Sequence, residues 1–340
     1  FFMNISFIGA FFWGFFVLAS FFGWGYLMTL ILRFSKKADL GFQGAFGVCL
    51  SVIIGGILNL TGQINRNFIL VYIIVGFFIL IFSLFINRKI FLQQALYWWN
   101  QIKASKFFVG LFIILILIIL IRYGSSVGFL SSYNLDDQHG YMVFPAKMLE
   151  TGSLGNDPFS ERRLVSSLGG QYFLDDFILS GANFNNLHLM DKGIGFIIFL
   201  FLLAGLIREK KINIGFGLAL LMLAAIVPSP SENITSFYSV SILFLAVLRL
   251  FWEEEPQKNN FFKILTLVIL TATASILKSN FVFPSAVLFA GYFVMELKYS
   301  NWRKVGKEFI FASILFFLFL LPWMISVKHS SGTFFYPFFG

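Results

Sequence analysis

Two adjacent carboxylates and a nearby histidine mark the sharpest motif in this 340-residue chain: Asp136, Asp137 and His139, within Tyr133-Asn134-Leu135-Asp136-Asp137-Gln138-His139-Gly140-Tyr141. Such a pair could take a proton from a hydroxyl as a general base. It could equally hold a hard divalent cation as a cofactor, or simply cap a short helix. His139 could orient one of the acids or hydrogen-bond the backbone. Further on, Arg162 and Arg163 stand side by side. Paired guanidiniums suit bidentate binding of phosphate, or else neutralise the acids around them and touch lipid headgroups. Asp175-Asp176 is a second acid site, read more simply as the polar face of an amphipathic helix that starts at Gly169-Gly170 and stops at Gly181. Lys278, alone in a short turn, could pair a lipid phosphate or snorkel to the headgroups.

The elements that must position these groups are membrane helices. The chain is 58% hydrophobic and 12% charged, with a mean hydropathy of +0.84, whereas soluble domains run at about 45–50% apolar and about 25% charged. That excludes a soluble globule, a disordered tail and a disulfide scaffold, and the single cysteine, Cys49, excludes an internal disulfide. A hydrocarbon core needs about 20 apolar residues per helix. Ten stretches qualify: residues 7–32, 42–60, 68–86, 107–122, 193–207, 212–227, 234–251, 262–277, 281–297 and 309–327. The first is too long for a signal-peptide core and has no basic residue before it, so it reads as a span. The expected fold is all-α: one polytopic transmembrane domain over residues 1–340, with one large external loop, 124–192, that carries short helices. Residues 91–102, polar and rich in aromatics, read as an interfacial helix.

Basic residues set the expected orientation. Connections of one parity hold 16 Lys and Arg, those of the other hold eight, and Arg249 sits at a helix end. The richer set belongs in the cytoplasm, which places the 124–192 loop outside. The net charge of +9 is thus explained by topology rather than by nucleic acid as a partner. Eight of the 16 acids fall in that loop, and no charged residue sits in the middle of any predicted span. Proton and ion pathways normally carry such residues, so the working site is expected at the outer surface. In the loop, Pro145 suits the first turn of a helix and Gly152 its C-terminal stop.

These pieces together resemble a known family. An acidic pair soon after a helix, then Pro145-Ala146-Lys147-Met148 and a Thr151-Gly152-Ser153 stop, resembles the first external loop of GT-C-type membrane glycosyltransferases, which use polyprenyl-phosphate-linked sugars. A second patch, Leu321-Pro322-Trp323, Ser331-Gly332-Thr333 and Tyr336-Pro337-Phe338, is similar to an external stretch of bacterial members. The resemblance covers about residues 130–185 and 320–340. In the family the acidic pair usually follows the first helix; here it follows the fourth. The resemblance implies that Asp136 or Asp137 deprotonates, or hydrogen-bonds, the acceptor hydroxyl with His139 beside it. It also implies that Lys147, Arg162, Arg163, Lys278 and Tyr336 bind the donor and its phosphate.

The function expected is transfer of a sugar from a polyprenyl-phosphate donor to a glycan, lipid or protein, at the periplasmic side of a bacterial inner membrane. The partners are then that donor and the surrounding lipid. Two alternatives belong to other classes: a polysaccharide polymerase or ligase, and a transporter of lipid-linked glycans. The first leans on loop arginines and histidines, yet here loop acids outnumber bases eight to four. The second calls for charges inside the spans.

Overall fold

The computed structural model describes residues 5–34, 39–129, 137–155, 167–229, 233–252 and 260–334. Among them are thirteen α-helices and no strand. The first three are α1 (Phe7–Ile31), α2 (Leu40–Thr61) and α3 (Arg66–Ile86). Each starts at a polar cap: Ser6, Asp39 and Asn65 accept backbone N–H bonds from Gly9, Phe42 and Phe68. Helices cannot rely on a hydrophobic drive to associate in lipid, so small residues must let backbones approach. A Cβ on Gly25 would lie 1.6 Å from the Gln43 carbonyl oxygen, and one on Gly23 would lie 1.8 Å from that of Gly76. These glycines weld α1 to α2 and α3.

The chain continues through α4 (Arg88–Ile102) and α5 (Lys106–Gly124). The expected interfacial helix is α4, which buries only Ile102. After two short helices of the long loop come α8 (Phe196–Glu209), α9 (Ile214–Ile226) and α10 (Phe237–Phe251). The last three are α11 (Asn260–Leu277), α12 (Val282–Glu296) and α13 (Trp302–Ser331). Most of α2 is buried, and α13 is pinned to it where Trp323 Nε1 donates to the Val52 carbonyl at 3.1 Å. Many phenylalanines stay uncovered, among them Phe78, Phe82, Phe85 and Phe107 on α3 and α5, as a lipid-facing surface requires.

Among the described residues, six helical stretches are long and apolar enough to cross a membrane: Phe7–Ile31, Leu40–Thr61, Arg66–Ile86, Lys106–Gly128, Phe184–Glu209 and Trp302–Ser331. The expectation of ten spans is therefore met in part. Ile214–Ile226 and Phe237–Phe251 fall well short of the length a hydrocarbon core demands. One predicted span also starts earlier than expected. A π-helical turn, Leu189–Gly195, leads directly into α8, so Asp191 and Lys192 lie within the continuous helical stretch Phe184–Glu209 rather than before it.

The long loop departs most from expectation. Its helices are α6 (Val143–Thr151), which ends at Gly152 with φ 86° as the sequence suggested, and α7 (Gly170–Leu179). Every residue of α7 is buried. Trp13 Nε1 donates to the Phe177 carbonyl at 3.0 Å, and Arg66 Nε donates to that of Ser180 at 2.8 Å. Phe173 packs on Gly55 and Gly170 faces Val52 and Ile276. At 1.5 Å per residue, Val52 lies about 14 Å inside the end of α2 at Thr61. The loop thus turns back into the bundle instead of lying over it.

Candidate active site

The site is built around one short backbone segment, residues 233–236, that leads into α10. Asp137 opens a π-helical turn, Asp137–Tyr141, directly before α6. Its side chain is buried, and Oδ1 accepts the Ile234 N–H at 2.7 Å. From α7, Gln171 straddles the segment: Nε2 donates to the Ile234 carbonyl at 2.7 Å and Oε1 accepts the Ser236 N–H at 3.4 Å. From the end of α11, Lys278 donates its ammonium to Thr235 Oγ1 at 2.8 Å. Asp137 and Lys278, far apart in sequence, therefore meet on consecutive residues.

Below this segment Asp191 closes the start of α10. Its Oδ2 accepts the N–H groups of Phe237 and Tyr238 at 3.1 Å, and its Oδ1 accepts the N–H and hydroxyl of Ser239 at 2.8 and 2.9 Å. The first N–H groups of a helix have no partner inside it, and one carboxylate here takes three of them. The Asp175-Asp176 pair sits alongside on α7. It is not the solvated polar face expected from its spacing, because both residues are buried. Asp175 Oδ2 and both Asp176 oxygens have no hydrogen-bond partner among the described residues. Burial pushes both carboxyls well above the usual range; Asp191 and Asp137 add to the effect at Asp175, and Asp175 adds to it at Asp176. Asp175 and Asp191 border a cavity of about 10 Å³, the volume of roughly one water probe. Burial likewise lowers the Lys278 ammonium, and the charge of Asp191 opposes that shift.

Of the expected site residues, the structure brings Asp137 and Lys278 together. Lys147 lies half-buried on α6, its Cε 3.6 Å from where a Cβ on Gly155 would stand. Asp136, the side chain of His139, Arg162, Arg163 and Tyr336 lie outside the described residues. No group of three His, Cys, Asp or Glu side chains able to hold a metal occurs among the described residues. Gln171 and Asp191 were not legible as site residues, because their partners are backbone groups more than 40 positions away.

The arrangement offers an oriented carboxylate at Asp137, a half-buried ammonium at Lys278 and, beside them, the buried carboxyls of Asp175 and Asp176. An ammonium keeps three donors and can pair a phosphate while still holding Thr235. Compared with known proteins, the chain matches no family model, no curated protein and no solved structure.

Proposed function

We propose that the chain is a GT-C-type membrane glycosyltransferase, moving a sugar from a polyprenyl-phosphate donor to a glycan, lipid or protein acceptor at the outer face of a bacterial inner membrane. The observation that carries this reading is the meeting of Asp137 and Lys278 on Ile234 and Thr235. Base and phosphate partner must lie close together in such a site. The Ile234 N–H orients the carboxylate, and a carboxylate has about four lone-pair directions, so the acceptor hydroxyl can be taken on as well. As the acceptor oxygen bonds to the anomeric carbon, its proton passes to Asp137. The bond from that carbon to the phosphate oxygen breaks, and the lipid phosphate leaves with the electron pair. Lys278 neutralises the charge that builds on that phosphate, and Arg162 and Arg163 extend the same phosphate set. Asp136 shares the candidacy for the base, with His139 beside it.

The test is purified protein in detergent with a panel of polyprenyl-phosphate sugars, scored for donor consumption. Loss of a general base costs about 10²–10⁴-fold in rate. Asp137→Asn is expected to lose turnover on that order while donor still binds, and Lys278→Met to weaken donor binding. Near-normal turnover in both Asp136→Asn and Asp137→Asn would overturn the assignment.

A further inference from the structure

A second recess lies beside Asp39, at the end of α2 remote from Thr61. There α4, α5, α8 and α9 enclose a cavity of about 530 Å³, within the range of about 300–1,000 Å³ typical of ligand pockets. Its walls are apolar: Trp98 and Trp99 from α4, Phe112 from α5, Phe201 from α8 and Leu218 from α9. Its polar lining is concentrated at Asp39 and Arg208, with Gln94 on the α4 wall. Asp39 caps the first turn of α2, and Arg208 stands in the last turn of α8. The cavity therefore reaches the ends of two helices, where hydrocarbon gives way to headgroups.

Two features define what fits. First, Asp39 is already satisfied by Arg249, whose Nη2 lies 2.8 Å from Oδ2 and which also pairs with Glu209. Arg249 has no exposed side-chain surface, whereas Arg208 keeps 23% of its own and, among the described residues, makes a single 3.4 Å contact with Asp39. Among the described residues, most of its donors are left for a ligand. Second, α4 lines the cavity with uncharged residues and carries charge of one sign at its two ends. Arg88, Lys89, Lys103 and Lys106 flank it, and the sequence contains no acidic residue between Asp39 and Asp136. An apolar body with an anionic head matches both.

We propose that this cavity binds one anionic phospholipid, with an acyl chain between α4 and α8 and the phosphate against Arg208, in the positive field of the basic residues that flank α4. A bidentate guanidinium–phosphate contact supplies orientation, and the chain supplies affinity by area. The exposed amphipathic α4 is then a lid over a lipid as well as a helix on the surface. This site is independent of the sugar-transfer reading.

Delipidated full-length protein in detergent, titrated with phosphatidylglycerol or phosphatidylcholine and read by native mass spectrometry, tests it. One phosphatidylglycerol per chain is expected, in clear preference to phosphatidylcholine. Arg208→Gln combined with Lys103→Gln should weaken phosphatidylglycerol by about tenfold or more, about 1.4 kcal/mol per tenfold, and leave phosphatidylcholine unchanged. Ala204→Trp, and separately Ala95→Trp from the facing wall, should abolish the bound lipid. Ala95 is exposed, so its replacement leaves the interior packing intact. Equal binding of both lipids, or undiminished phosphatidylglycerol in Ala95→Trp, would overturn the proposal.

Discussion

Asp176 poses the sharpest question at the scale of single residues. Neither carboxylate oxygen has a partner among the described residues, and the residue has no exposed surface. A charged carboxylate in that position would cost several kcal/mol, so the folded protein holds the proton to higher pH than the unfolded chain does. The sign follows. Stability is full below the ordinary Asp value of about 3.9 and falls as pH rises from there toward the raised folded value, because the unfolded chain has already released its proton. Asp176→Asn removes that slope. In thermal unfolding in detergent, the variant should match the wild type at acid pH and surpass it increasingly as pH rises. Parallel profiles would show that another group carries the charge. The sequence displayed the Asp175-Asp176 pair openly but not its burial, since helical spacing tells which face is apolar and not whether the polar face is covered.

For single elements, the start of α10 is the most exposed to mutation. Three of its N–H groups and the Ser239 hydroxyl depend on Asp191. Replacing a capping side chain by Ala costs about 0.5–2 kcal/mol, and unsatisfied buried donors add to that. Asp191→Ala should lower the melting temperature and speed hydrogen exchange at Phe237, Tyr238 and Ser239, with Asp191→Asn milder. Unchanged exchange at those three amides would refute the cap. Most long helices were legible, because twenty-residue apolar runs with polar caps such as Asp39 and Asn65 have few alternatives. The α6 stop at Gly152 was legible for the same local reason. By contrast, the buried position of α7 was not, because it is fixed by partners remote in sequence: Trp13, Arg66 and Ile276. The same holds for Asp191, which looked like the rim of a span.

The largest scale is orientation. Arg33, Arg88, Lys103, Lys106 and Arg208 belong to the richer set of 16 basic residues, and the positive-inside rule sends that set to the cytoplasm. Single cysteines introduced at residues 100 and 155, in a Cys49→Ser background, test this with a membrane-impermeant reagent applied from outside. Labelling at 155 and protection at 100 is the expected result; the reverse would invert the molecule. The seating of α7 has a consequence for how the protein is made. Its neighbours lie on both sides of it in the chain: Gly55 is synthesised before it and Ile276 about a hundred residues later. While the ribosome is still working on α9 and α10, α7 has only part of its socket, and its two aspartates must wait in water. The seat of α7 is therefore complete only once Ile276 has been made.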